Sequence, residues 1–167
     1  MLSDNEVKNK FDILVNKLQA GLFSEVISEA TILLKKRQHQ VFFNILSLAY
    51  QSIGEFQKSV DVMEKALKQN ANNPYFLNNM GTSQHKLENF SQAEEYFKRG
   101  LAIAPNYINI LNNFGNLKKD LNFTKEAIEF FKKSISIKND VIETHLNIAN
   151  CYQSIGEYTE SIFHFNE

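Results

Sequence analysis

A pattern of apolar and small residues recurs every 34 residues from about residue 40 onward, and this period constrains the fold more than any other feature. Each copy carries two apolar stripes at helical spacing, separated by a short break that contains Gly or Asn. A copy is therefore a predicted helix-turn-helix, which cannot bury its apolar faces alone and must stack on its neighbours. The aligned columns include Ile53, Leu87, Leu121 and Ile155 before the turn and Gly54, Glu88, Asn122 and Gly156 at the turn.

The period predicts an all-α solenoid of about 4.5 helical pairs, built as one domain over residues 1–167. The first pair fits the period imperfectly, as the terminal unit of a stacked array often does. The last pair is cut short by the end of the sequence. The expected units cover about residues 3–39 (degenerate), 40–73, 74–107, 108–141 and 142–167 (incomplete).

Composition and charge indicate no catalytic or metal chemistry. The formal charge of −1 does not call for a nucleic acid or an acidic membrane surface as a partner. One cysteine, Cys151, cannot form an internal disulfide, and the polar start has no apolar signal sequence, so we expect a cytoplasmic protein without a membrane span. The four histidines are dispersed in the sequence, and no phosphate loop or nucleophile motif occurs. We therefore predict no enzyme activity, no cofactor and no metal.

Short motifs predict where several helices begin. Ser3 and Glu6 form a capping box, and Pro74 suits the first position of a helix that Asn73 can cap. Ser91 with Glu94 suggests a second capping box. Asp140, together with Glu143, is expected to cap the fifth unit.

Two positions depart from the period or from its chemistry. Phe123 stands one place earlier than the aromatic residues Phe56 and Phe90, so the turn of the fourth unit is expected to be rearranged. His145 falls in an apolar column and is interpreted as a hydrogen-bonded packing residue rather than a ligand.

These columns resemble the tetratricopeptide repeat (TPR) family, which has a 34-residue unit with small residues where its two helices cross. The resemblance implies a right-handed α-solenoid whose first helices line a concave face. Gln84 and Lys118 depart from it, because they replace the tyrosine that Tyr50 and Tyr152 retain. The crossing positions are Ser47, Gly81, Gly115 and Ala149 on the first helices and Ser59, Ala93, Ala127 and Ser161 on the second.

Asparagines are concentrated on the first helices, although asparagine is a mediocre helix former. A side-chain amide both donates and accepts hydrogen bonds, so a column of them can pair with the backbone of an extended peptide. Such a ladder resembles the peptide-holding groove of the TPR superhelix in O-linked N-acetylglucosamine transferases. The lysines of TPR domains that bind acidic chaperone tails are replaced by asparagine. The predicted peptide-binding residues are Asn44, Tyr75, Asn78, Asn79, His85, Asn109, Asn112, Asn113, Asn116, Lys119, Asn147 and Asn150.

Alternatives to this binding scaffold remain open. Asparagine is abundant throughout the chain, so part of the column can instead bond between neighbouring units. The incomplete last helix, with Ile162, Phe163 and Phe165, favours two further hypotheses. One is the recruiting N-terminal arm of a larger sulfotransferase or glycosyltransferase, as some TPR arrays are. The other is a self-assembly module that forms a homodimer through this helix.

Overall fold

The structure is a computed structural model that describes residues 2–139 and 142–166, and its described part contains only helices and the short segments between them. The predicted all-α repeat fold is confirmed, since helices of 13 or 14 residues alternate with short turns from residue 40 to residue 137, and a further helix of 13 residues covers Ile142–Ser154. The helices are α1 (Asp4–Gln19), α2 (Phe23–Lys36), α3 (Gln40–Ser52), α4 (Phe56–Gln69), α5 (Pro74–Lys86), α6 (Phe90–Ile103), α7 (Ile108–Asp120), α8 (Thr124–Ile137), α9 (Ile142–Ser154) and α10 (Tyr158–Asn166).

The helices group into two compact units. The N-terminal unit, Met1–Asn89, contains α1 to α5, and the C-terminal unit, Phe90–Glu167, contains α6 to α10. Within each unit every helix packs on the next one in sequence, and the first helices of successive pairs also contact each other, as α3 contacts α5 and α7 contacts α9. Among the described residues, no helix has both the length and the apolar character that crossing a bilayer requires.

Each unit has its own apolar interior. In the N-terminal unit the fully buried large side chains come from α1, α3, α4 and α5, and Phe42, Met63 and Phe76 are among them. In the C-terminal unit one cluster surrounds Phe97 and Phe114. A second cluster there is formed by residues of α8 and α9, and Phe131 is one of its fully buried members. The apolar stripes read from the sequence are thus the faces on which neighbouring helices pack.

Of the four helix starts that the capping motifs predict, three lie within the described residues, and two of these three are confirmed. Ser3 and Glu6 form the expected capping box, and the Asn73 side chain accepts hydrogen bonds from the first turn of α5, which begins at Pro74. The expected capping box at Ser91 is wrong, because α6 begins one residue earlier and Ser91 lies within its first turn. The Glu94 carboxylate contacts Lys98 and Lys118 instead. Asp140 lies outside the described residues.

The turns inside the repeats share one backbone conformation. Gly54, Glu88, Asn122 and Gly156 all have a positive φ, between 61° and 82°. The second helix starts two residues later in each case, including α8 after Asn122. The rearranged turn expected at Phe123 is therefore wrong, because Phe123 only occupies the residue before the helix. Two of these left-handed positions hold residues other than glycine, at a steric cost.

The column of large residues on the second helices does not stay buried to its last member. Met63, Phe97 and Phe131 are fully buried, but Phe165 in α10 is 48% exposed. The preceding residue, His164, is buried instead and stacks on Tyr152. Among the described residues, Phe165 therefore leaves about half of its side chain at the surface, whereas the equivalent residues of α4, α6 and α8 are enclosed.

Candidate functional site

In the N-terminal unit, the predicted asparagines connect two first helices. Asn79 Nδ2 donates to Asn44 Oδ1 at 2.7 Å, which joins α5 to α3. Asn78 Nδ2 donates to Asn79 Oδ1 at 3.3 Å. Asn78 and Asn79 are buried, whereas Asn44 is only half-buried. Asn79 therefore fits the alternative interpretation, in which an asparagine of the column bonds to the neighbouring repeat. Of the three asparagines, Asn44 has the most solvent-accessible side chain.

Beside these asparagines, a chain of hydroxyls runs through the same crossing. Ser59 Oγ lies 2.7 Å from Ser47 Oγ and accepts from Ser83 Oγ at 2.8 Å. Gln51 Nε2 donates both to Ser83 Oγ at 2.8 Å and to the backbone oxygen of Asn79 at 2.9 Å. All three serines are fully buried. Because their polar atoms are hydrogen-bonded, the small residues required at the crossing can be polar here.

In the C-terminal unit, the predicted residues join α7 to α9. Asn112 Nδ2 donates to Thr144 Oγ1, and Lys119 Nζ donates to Asn147 Oδ1, both at 2.9 Å. Asn112 Oδ1 is buried and has no hydrogen-bond partner within the described part of the chain. These bonds fix neighbouring first helices relative to each other inside this unit.

Other predicted residues of the same unit keep hydrogen-bonding capacity. Asn116 and Asn150 occupy equivalent positions of α7 and α9, and within the described ranges neither side chain makes a hydrogen bond. Asn116 is half-buried and Asn150 is exposed, as is Asn109 at the start of α7. Asn113 is half-buried. The side chains of Asn109, Asn116 and Asn150 can therefore reach a molecule lying along the first helices.

Tyr75 and His85, two further predicted residues of the N-terminal unit, differ in solvent exposure. Tyr75 is 54% exposed, whereas His85 is buried at 8%. His85 is a predicted peptide-binding residue, but its side chain is largely withdrawn from solvent. Tyr75 is thus the aromatic side chain among the predicted residues that a partner can contact.

Lys118 shows how a departure from the family pattern is accommodated. Its ammonium lies 3.0 Å from a Glu126 carboxylate oxygen and 3.3 Å from one of Glu94. It also lies over the rings of Phe114 and Phe123, 5.4 and 5.3 Å from their centroids. Burial by itself would lower the pKa of Lys118, but the pairs with Glu126 and Glu94 outweigh it and raise that pKa. The displaced Phe123 therefore covers the lysine that replaces tyrosine.

The histidines and the cysteine fit packing roles. His145 Nε2 donates to the backbone oxygen of Asn139 at 2.9 Å, and its Nδ1 lies 3.2 Å from Nδ1 of His164. Both rings are buried, as expected for His145. Burial raises the pKa of the Cys151 thiol, which disfavours the nucleophilic thiolate. The described residues contain no group of three or more side chains suited to hold a metal.

The N-terminal unit contains a cavity of about 360 Å³ that the sequence patterns did not predict. It lies where α1, α3 and α5 meet, and it includes two predicted residues, Asn44 and Tyr75. Phe11, Gln40 and Val41 also line it but were not predicted as site residues. The available signal was weak, because Phe11 belongs to the degenerate first unit and Gln40 stands at a unit boundary.

Comparison with known proteins identifies the repeats. Profiles described as tetratricopeptide repeat match residues 41–73, 74–107 and 108–141. No curated protein matches the chain over its sequence. Similar solved structures include TTC0263, a thermophilic TPR protein of Thermus thermophilus (TM-score 0.85, 15% identity, 95% of this chain and 88% of that one).

Two further solved structures have a similar fold. One is pilF of Pseudomonas aeruginosa, with a TM-score of 0.82, 17% identity, and coverage of 95% of this chain and 73% of that one. The other is MamA 41-end from Desulfovibrio magneticus RS-1, with a TM-score of 0.76, 17% identity, and coverage of 99% and 94%. The repeat profiles match more than half of the present chain, which therefore belongs to the tetratricopeptide repeat family. Repeats of this family serve as scaffolds for protein–protein interaction.

Proposed function

We propose that this scaffold binds an extended segment of a partner protein through the side-chain amides of its first-helix asparagines. The observation that carries the proposal is the pair Asn116 and Asn150. The two residues are 34 positions apart, lie on α7 and α9, and have amides that make no hydrogen bond to the described part of the protein. An extended peptide presents N–H and C=O groups at regular intervals, so equivalent amides on successive helices can pair with it whatever its side chains are.

The neighbouring contacts support the proposal, because they hold the asparagine-bearing helices rigidly. Lys119 with Asn147 and Asn112 with Thr144 tie α7 to α9. A surface that is already ordered loses less conformational entropy when a ligand binds. In the N-terminal unit, Asn79 is assigned the same supporting role, since it holds the half-buried Asn44.

Selection of peptides tests the proposal directly. Random unstructured peptides displayed on phage are selected on the wild-type protein, and the dissociation constant of each selected peptide is then measured by calorimetry. Replacing both amides, Asn116→Ala with Asn150→Ala, removes about two hydrogen bonds, so we expect affinity to fall about 25-fold. The matched control replaces two asparagines of inter-helix segments, Asn106→Ala with Asn139→Ala, and should leave affinity within about twofold.

Two results would reject the proposal. One is a set of selected peptides that bind the Asn116→Ala/Asn150→Ala variant as tightly as they bind the wild type. The other is insensitivity of binding to N-methylation of the peptide backbone, since backbone recognition requires the amide hydrogens that methylation removes.

A second candidate, self-association, is favoured by the surface of α10. Ile162, Phe163 and Phe165 are 61%, 57% and 48% exposed, and contiguous apolar surface of this kind often marks an interaction site. Sedimentation equilibrium should show a dimer that the change Ile162→Glu with Phe163→Glu dissociates. The control Ile13→Glu with Leu22→Glu alters exposed apolar residues of the N-terminal unit and should not affect it. A wild-type monomer at high concentration rules this candidate out. The recruiting arm of a larger enzyme stays a prediction.

A further inference from the structure

The cavity of the N-terminal unit has apolar walls from three helices. Phe11 comes from α1, Val41 from the first turn of α3, and Tyr75 and Phe76 from the first turn of α5. Phe76 is buried, whereas Tyr75 is more than half exposed and stands at the rim. The volume of about 360 Å³ is within the range of about 300–1,000 Å³ typical of ligand sites.

The contacts of Asn44 determine which end of its amide remains for a ligand. Asn79 Oδ1 accepts from Asn78 Nδ2, so the other end of the Asn79 amide, Nδ2, is the donor to Asn44. Asn44 must therefore present its oxygen to Asn79. Its Nδ2 makes no hydrogen bond within the described residues and is left for the cavity.

The contacts of Gln40 lead to the same result. Asn73 Oδ1 caps α5 by accepting from the backbone N–H groups of Tyr75 at 2.9 Å and Phe76 at 3.4 Å. Asn73 Nδ2 is therefore the donor to Gln40 Oε1, at 3.2 Å. Gln40 Nε2 makes no hydrogen bond within the described ranges. Since Gln40 and Asn44 are four residues apart on α3, both NH₂ groups lie on one face of that helix.

The polar chemistry of the cavity is thus one-sided. Its two available amides donate, and no charged side chain is among the described residues that line it. From this we infer that the cavity binds one bulky apolar side chain of the partner segment, and that a backbone carbonyl next to that side chain accepts from Asn44 and Gln40. The inference rests on the proposed function, because it takes the occupant to be part of the extended segment. A carboxylate fits less well, since its charge would lose water without gaining a cation.

Small probes test this cavity without a selected peptide. The probe is N-acetyl-phenylalanine N-methylamide, which has an aromatic side chain between two carbonyl groups, and N-acetyl-glycine N-methylamide is its control. In ¹H–¹⁵N spectra of the full chain, the side-chain NH₂ signals of Asn44 and Gln40 should shift in a saturable manner with the phenylalanine probe, and not with the glycine probe. A probe of this size is expected to have a Kd of about 1 mM.

A variant pair assigns the hydrogen bond. Gln40→Met keeps a side chain of similar length at an exposed position and removes the donor, so the probe should bind about fivefold more weakly. Gln57→Met makes the same change on the exposed surface of α4 and should leave the Kd unchanged. Thermal unfolding of both variants checks that they fold.

Several outcomes would overturn the inference. They are no saturable shift at Asn44 and Gln40, equal shifts with the glycine probe, and an unchanged Kd in Gln40→Met. Tighter binding of N-acetyl-phenylalanine, the free acid, would also overturn it, because the site would then select a chain end. None of these results depends on Asn116 or Asn150, so failure here leaves the proposed function standing. Conversely, if replacing Asn116 and Asn150 does not change peptide affinity, the proposed function fails but the probe experiment on the cavity can still be interpreted.

Discussion

Two equivalent helix crossings, α3 with α4 in the N-terminal unit and α7 with α8 in the C-terminal unit, are built from opposite chemistry. In the N-terminal unit three buried hydroxyls, Ser47, Ser59 and Ser83, meet at the crossing and bond to one another. In the C-terminal unit Gly115 stands where Ser47 does in the repeat, and a Cβ placed on it would lie only 2.6 Å from the Phe131 ring. The period therefore requires small side chains at the crossing but does not determine their polarity.

The tyrosine column makes the same point with larger groups. Tyr50 is retained in the N-terminal unit, and Lys58 lies over its ring. In the C-terminal unit Lys118 takes the equivalent position and is neutralised by two glutamates. A lysine can replace the tyrosine here because Glu94 and Glu126 pair with its charge. A buried charge requires such a partner.

The largest loss of stability is expected from a change that removes ring volume at the helix crossing of the C-terminal unit. Phe131→Ala removes a fully buried ring from the cluster on α8 and α9 and should cost about 3–5 kcal/mol of unfolding free energy. Chemical denaturation measures this loss. The control Phe165→Ala, at an exposed position of the same column, should cost less than about 0.5 kcal/mol. Similar losses at both positions would contradict the comparison.

The hydroxyl chain of the N-terminal unit predicts non-additive changes. Ser59→Ala removes the shared partner of Ser47 and Ser83, and should cost about 1–2 kcal/mol, since it leaves buried polar atoms unsatisfied. The triple change to alanine at all three serines leaves fewer such atoms and should cost less than the sum of the single changes. Strict additivity in denaturant unfolding would show that the hydroxyls act independently.

Lys118 gives a prediction for pH dependence. The pKa of Glu94 is lowered, first by Lys98 and then by Lys118, from its ordinary value near 4.5. The folded state therefore binds fewer protons than the unfolded state, so this stabilisation is present above about pH 4.5 and is lost as pH falls through the lowered pKa. Lys118→Met should cost about 1 kcal/mol at neutral pH, and its difference from the wild type should shrink in acid. A difference that grows in acid would contradict the assignment.

The smallest expected effects concern the two left-handed residues that are not glycine. Glu88→Gly should relieve strain and stabilise the protein by about 0.5–1 kcal/mol. Asn122→Gly should change stability by less than about 0.3 kcal/mol, because asparagine tolerates this conformation well. The matched pair is compared by thermal unfolding. An equal gain at both sites would show that the side chain at this turn does not matter.

Much of the fold could be predicted from the sequence, because the period, the apolar stripes and the cap at Asn73 are all local patterns. Contacts between helices were less accessible. Asn79 bonds to Asn44, 35 positions away, and His145 pairs with His164, 19 positions away. Contacts over such separations leave no local pattern in the sequence. The cavity beside Asn44 depends on Phe11 of the degenerate first unit, and Asn73 was predicted as a cap without its bond to Gln40.

The central claim, that first-helix amides bind a partner's backbone, is tested most directly by following the Asn116 and Asn150 side-chain NH₂ resonances while a selected peptide is added. The account predicts that both signals shift together along one saturable curve, with the same Kd that calorimetry gives. Saturable binding that leaves both signals in place and shifts residues of the second helices α6 and α8 instead would contradict it.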